Sequence, residues 1–134
     1  MSKAGKVIND EISALATKYK NELLSKEEEL KALRAELEKQ GMLLSDSAKA
    51  EKEREFQQGV KDLQRAQKDY NDELQQRRSE ATQNLLAQMR PVIQKLGKDG
   101  GYQMIVEKNQ GAVIFSDETA DLTEELVKAF DAVQ

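Results

Sequence analysis

Large apolar residues recur through the first forty positions at Ile8, Ile12, Leu15, Tyr19, Leu23, Leu30, Leu33 and Leu37. Steps of three, four and seven hold them on one face of an α-helix. Lys and Glu fill the solvent positions between them, as in Lys26-Glu27-Glu28-Glu29. No proline interrupts, so the spacing predicts a helix from about Ser2 to Gln40, about 60 Å long at a rise of ~1.5 Å per residue. Gly41 is placed to take the left-handed conformation that ends helices. Met42, Leu43 and Leu44 follow as an apolar tip, and Ser45 or Asp46 can cap a second helix with a side-chain oxygen. A connection this short turns the chain back as an antiparallel pair.

The second helix is expected from about Ser47 to Gly97. Its apolar positions are Phe56, Leu63, Tyr70, Leu74, Ala81, Leu85, Val92 and Leu96, in steps of seven and four. That is the heptad seam of a coiled coil. Gln67 and Arg77 or Arg78 fall at weak points of the seam, read as ordinary polar interruptions or as a deliberately loose arm. Pro91 lies inside the helix and should kink it, because it lacks an N–H and its ring crowds the preceding turn. It is the candidate hinge.

The pattern changes after Gly97. Gly100-Gly101 ends the helix, and Tyr102 to Lys108 is rich in β-formers. Asn109-Gln110-Gly111 is a turn signal, and Ala112 to Ser116 reads as a second short strand. A two-stranded hairpin alone is marginal in water and needs covering or further strands. Asp121-Leu122-Thr123-Glu124 has the spacing of a capping box. It opens a closing helix over 122–133, with Leu126, Val127 and Phe130 on one face. The predicted fold is mainly α. A long antiparallel helical coiled-coil hairpin occupies 2–97, with its tip near 41–46. It stands on a small base over 98–134, made of a β-hairpin at 102–116 and the C-terminal helix. Ile105, Val106, Val113, Ile114 and Phe115 cannot all face one core from alternating strands, so they are the candidate oligomer interface.

Composition supports helices that bury a narrow seam. Of the 134 residues 34% are charged and 4% aromatic, with one Pro and no Trp. A compact globule would be short of apolar area, whereas a chain rich in Ala, Glu, Lys, Leu, Gln and Arg favours long helices. The net charge of -4 argues against nucleic acid, whose phosphates need a basic footprint. No apolar run approaches the ~18 residues of a membrane span, and no signal-peptide core is present.

The chain has no Cys and no His, which removes disulfides, thiolate chemistry and the usual neutral-pH acid/base. Carboxylates such as Glu51, Glu53 and Glu55 alternate with Lys and Arg as a solvated helix face. Gly100-Gly101 precedes a strand, not a helix N-terminus, so it is no phosphate loop. These features predict no catalytic, cofactor-binding or metal-binding residues and a non-enzymatic role.

The C-terminal third resembles the Skp/OmpH family of periplasmic chaperones. Gly101-Tyr102-Gln103-Met104-Ile105-Val106 is similar to a family strand, and Ala112-Val113-Ile114-Phe115 to the next. Asp121-Leu122-Thr123-Glu124-Glu125-Leu126-Val127 resembles the closing helix, Leu44-Ser45-Asp46 the arm-tip turn and Ser2-Lys3-Ala4-Gly5-Lys6 the start of the first arm. The resemblance implies a homotrimer whose β-rich bases associate while helical arms enclose a cavity. It implies ATP-independent holding of unfolded outer-membrane proteins in the periplasm, with Met42, Leu43 and Leu44 as candidate client contacts. Against the family pattern, the signal peptide and a first β-strand before the Ser2 segment are missing here, which is expected to weaken the trimer. Some family members are basic, and this chain is acidic. A coiled-coil scaffold binding one folded partner is the alternative. A prefoldin-like arrangement is disfavoured, because there the strands lie between the two helices.

Overall fold

A computed structural model describes residues 1–108 and 113–134. Its elements are α1 (Lys3–Gln40), α2 (Asp46–Asp99), a short 3-10 turn (Glu118–Ala120) and α3 (Thr123–Asp131). The fold is mainly helical, and the two long helices lie within two residues of the bounds that their apolar spacing predicts. The chain divides into two compact units, Ile12–Arg78 and Met1–Glu11 with Ser79–Gln134.

The unit Ile12–Arg78 is an antiparallel helical hairpin. At its tip the Gly41 N–H donates to the Leu37 carbonyl at 2.9 Å, and the Leu43 and Leu44 N–H groups both donate to Gln40 O. Ser45 caps α2: its hydroxyl accepts from Ala48 N at 3.3 Å and its carbonyl from Lys49 N at 2.9 Å. Asp46 then places a carboxylate in the first turn, where the helix dipole favours it. Gly41 does not adopt the expected left-handed conformation. Glycine is needed there for another reason: a Cβ would stand 2.5 Å from the Leu37 carbonyl oxygen.

The seam runs as predicted through Phe56, Leu63, Tyr70 and Leu74, facing Leu15, Tyr19, Leu23, Leu30, Leu33 and Leu37 on α1; Tyr19 is buried and the others are half-buried. Gln67 is exposed and is not a seam position, because half-buried Ala66 takes that place between Leu63 and Tyr70. Arg77 is also exposed and lies 3.8 Å from Glu73. At Gly59 α2 lies directly against Leu30 of α1. A Cβ there would lie 2.5 Å from Leu30 Cδ2. The ion pair Lys52–Glu36, at 2.9 Å, joins the two helices nearer the tip.

The other unit is organised around Phe130 on α3, which is 1% exposed. Ser2 caps α1, its hydroxyl accepting from Gly5 N at 3.1 Å. The Lys3 N–H donates to Asp131 Oδ1 at 2.8 Å. The last residue of α3 thus sets a carboxylate on an orphan donor at the start of α1. α2 ends in a Schellman motif: Tyr102 N donates to Gly97 O at 2.9 Å and Gly101 N to Lys98 O at 3.3 Å. Gly101 takes the left-handed conformation this needs, with φ 67°.

The base departs from expectation in two ways. No strand forms among the described residues: 102–108 and 113–116 run without a ladder, and the expected turn Asn109-Gln110-Gly111 with Ala112 lies outside them. Two short strands gain too little from pairing unless a third strand or a second chain covers them. The capping box is also incomplete. Asp121 Oδ1 accepts from Thr123 N at 3.0 Å, but the Asp121 N–H already donates to Glu118 O at 3.1 Å and is not available to Glu124.

Candidate functional site

The two predicted apolar sites are both presented to solvent. At the tip Met42 is 97% exposed and Leu43 88%, while Leu44 is half-buried. The tip turn explains the split, since consecutive residues in a tight turn cannot all point inward. In the base Ile114 is 99% exposed and Phe115 87%, and Val106 is also exposed. Ile105 and Val113 are half-buried. Ile105 packs on α2, its Cδ1 3.6 Å from the Cβ position of Gly97. Met104 is also exposed, although the strand pattern does not single it out.

Pro91 is exposed within α2, which continues on both sides of it. Its missing N–H removes one backbone hydrogen bond from α2.

A third feature lies within the hairpin unit. Tyr19 and Tyr70 stack across the seam with ring centroids 4.0 Å apart and planes 3° from parallel. Their hydroxyls reach in opposite directions: Tyr70 donates to Glu22 Oε2 at 2.5 Å, and Tyr19 hydrogen-bonds Glu73. Tyr19 is held protonated up to about 12 by the Glu73 bond, then by burial and the nearby carboxylate charges. Tyr70 is raised by its bond to Glu22, then by burial. A cleft of about 270 Å³ opens beside this stack, floored by Tyr19, Leu23, Tyr70 and Leu74. Leu24, on its edge, is 46% exposed. Sequence reasoning treated both tyrosines as ordinary seam members. The available signal was their near-equal distance from the tip, which places them opposite each other in an antiparallel pair.

Asp121 anchors the start of α3. It pairs with Lys108 and accepts from the Thr123 hydroxyl and N–H, and these contacts hold its carboxyl well below the usual range, the Lys108 bond most. Asp117 is lowered likewise by Thr119. These are turn-stabilising contacts. No group of His, Cys, Asp and Glu capable of holding a metal ion occurs among the described residues.

The arrangement is therefore a charged helical hairpin with apolar side chains exposed at its tip, and apolar side chains exposed in a separate helix-capped unit. The family model for outer membrane protein (OmpH-like) matches residues 1–130. The chain belongs to the OmpH-like family. A search of curated proteins returned no match. The match covers both units of this OmpH-like chain, including the tip, the 102–116 segment and most of α3. The family is one of chaperones, not of enzymes. No helix among the described residues is long and apolar enough to cross a membrane.

Proposed function

We propose that this OmpH-like chain is an ATP-independent holding chaperone for unfolded outer-membrane proteins in the periplasm. The observation that carries the reading is the exposure of Met42 and Leu43 at the end of a charged hairpin, in a chain of a chaperone family. Each apolar contact is weak alone. Several arms presenting the same tip to one client raise the effective concentration of the next contact, so the client is held while every contact stays easily broken.

The arms are supplied by a homotrimer that forms through the base. Val106, Ile114 and Phe115, with Ile105 and Val113 behind them, meet the same segments of two further copies. Pairing between copies provides the additional strands that the 102–116 segment lacks in a single chain. The exposed apolar side chains of this segment support the reading, since such a patch on a soluble chain marks an interaction surface. Pro91 serves as the hinge, because its missing N–H removes one backbone hydrogen bond from α2 and lowers the resistance to bending there.

The test follows aggregation of an unfolded outer-membrane barrel protein by light scattering. The chain in several-fold excess should suppress it without nucleotide. The Met42→Asp/Leu43→Asp variant should lose most of that activity while keeping its helicity and its mass in solution. No suppression by the unaltered chain, or tight binding to a single folded protein instead, would overturn the holdase reading. A monomer mass across a concentration series would overturn the trimer.

A further inference from the structure

The cleft beside the tyrosine stack is flanked along α1 by opposite charges. Lys20 and Glu27 both line it, and Leu24 lies between them on the same side of the helix. Residues 20, 24 and 27 follow the spacing that keeps a helix stripe on one side, and the two charges stand about 10 Å apart along the axis. Among the described residues neither Lys20 nor Glu27 is engaged in an ion pair. Their neighbour Glu22, in contrast, is bound by Lys18 at 3.8 Å and by Tyr70.

A stripe of plus, apolar, minus is complementary to itself when reversed. We propose that this cleft is a docking surface for a second copy of the chain, with the two α1 helices antiparallel about a two-fold axis passing near Leu24. A two-fold contact uses the same patch on both partners. It sets Lys20 of one copy against Glu27 of the other, twice, and Leu24 against Leu24 over an apolar floor of Leu23 and Leu74. Farther along the stripe Lys31 meets Thr17, so between Thr17 and Lys31 no like charges are opposed. Glu28 faces Lys20 as well, which strengthens the same polarity. A parallel contact, such as three-fold packing of arms would give, opposes Lys20 to Lys20 and Glu27 to Glu27. Charge complementarity therefore selects the two-fold pair. One helix stripe buries far less than the roughly 1,200–2,000 Å² of a stable interface, so the contact is weak, concentration-dependent and sensitive to salt.

The absence of native Cys makes the test clean. Leu24→Cys introduces a single thiol, and a mild oxidant should trap a covalent dimer whose yield rises with protein concentration. Ser25→Cys, exposed one position further around the helix, serves as the collisional control and should trap several-fold less. Adding Lys20→Glu or Glu27→Lys to Leu24→Cys should lower the yield several-fold, and combining both reversals should restore it. A mixture of Lys20→Cys and Glu27→Cys chains should give the mixed dimer in preference to either homodimer. Equal trapping of Leu24→Cys and Ser25→Cys would overturn the proposal. So would homodimers of Lys20→Cys exceeding the mixed species, which indicates parallel arms.

Discussion

Replacing Phe130 by Ala tests whether α3 is a docked element or an independent one. Phe130 is fully buried, whereas Leu126 and Val127 on the same face are half-buried. Truncating a buried Phe to Ala costs about 3–5 kcal/mol in a core that holds its shape. The two half-buried neighbours retain roughly 1 kcal/mol each of apolar burial. α3 has nine residues, below the ~12–15 at which an isolated helix is even marginal in water. The helix is therefore expected to undock and melt instead of leaving a cavity. Undocking also removes Asp131 from the Lys3 N–H and so frays the start of α1. Hydrogen exchange read by mass spectrometry resolves this locally. The Leu126 amide, bonded to Leu122 O, and the Ala132 amide, bonded to Lys128 O, should exchange about a hundredfold faster, at 1.4 kcal/mol per tenfold. Gly5 and Lys6 should follow with a smaller change. Peptides from Ile12–Arg78 should be unaffected, and Phe130→Leu should recover most of the protection. Unchanged exchange of α3 in Phe130→Ala would refute the reasoning. Equal loss throughout the hairpin unit would refute it as well.

Two further outcomes are expected. At Gly59, Ala gains about 1 kcal/mol of helix propensity and loses a similar amount by pressing on the Leu30 methyl, so its urea midpoint should scarcely move. Gly59→Val adds branches to the same contact and should lose about 2 kcal/mol; an unchanged midpoint for Val would show that the close approach is not needed. Tyr19 titrates at about 12 in the fold against about 10 in an unfolded chain, so the fold favours the neutral phenol. Its contribution is fully present below about pH 10 and is lost as pH rises through about 12. Melting followed by circular dichroism should fall across that window, and Tyr19→Phe should flatten the fall; an identical pH profile in the variant would count against the Tyr19–Glu73 bond.

The helices were legible because their periodicity is a local property repeated many times. Eight apolar positions on one face define α1, and no single interruption shifts it. The seam was read correctly at Phe56, Leu63, Tyr70 and Leu74, but its weak point was misplaced at Gln67. A three-four step through Ala66 serves as well as a four-three step, and a small residue carries little weight in a pattern of large ones. Gly41 was recognised as the end of α1, but for the wrong geometry, since a glycine can be required by a neighbouring carbonyl as well as by a positive φ. Met42 and Leu43 are exposed in the turn between α1 and α2. The tyrosine stack and its cleft were not seen, because opposite charges and rings on two helices have no meaning until register brings them together.

The sequence by itself determined the helical hairpin, its turn, the closing helix and the absence of thiol and imidazole chemistry. Each follows from the spacing, capping or identity of residues close along the chain. Tertiary structure decided that Asp131 caps α1, that Tyr19 meets Tyr70, and that the 102–116 segment forms no ladder among the described residues. The first two depend on partners up to 128 residues away along the chain. β-propensity states only that a segment fits a pleated, half-covered surface, and whether that surface exists is settled by what packs against it.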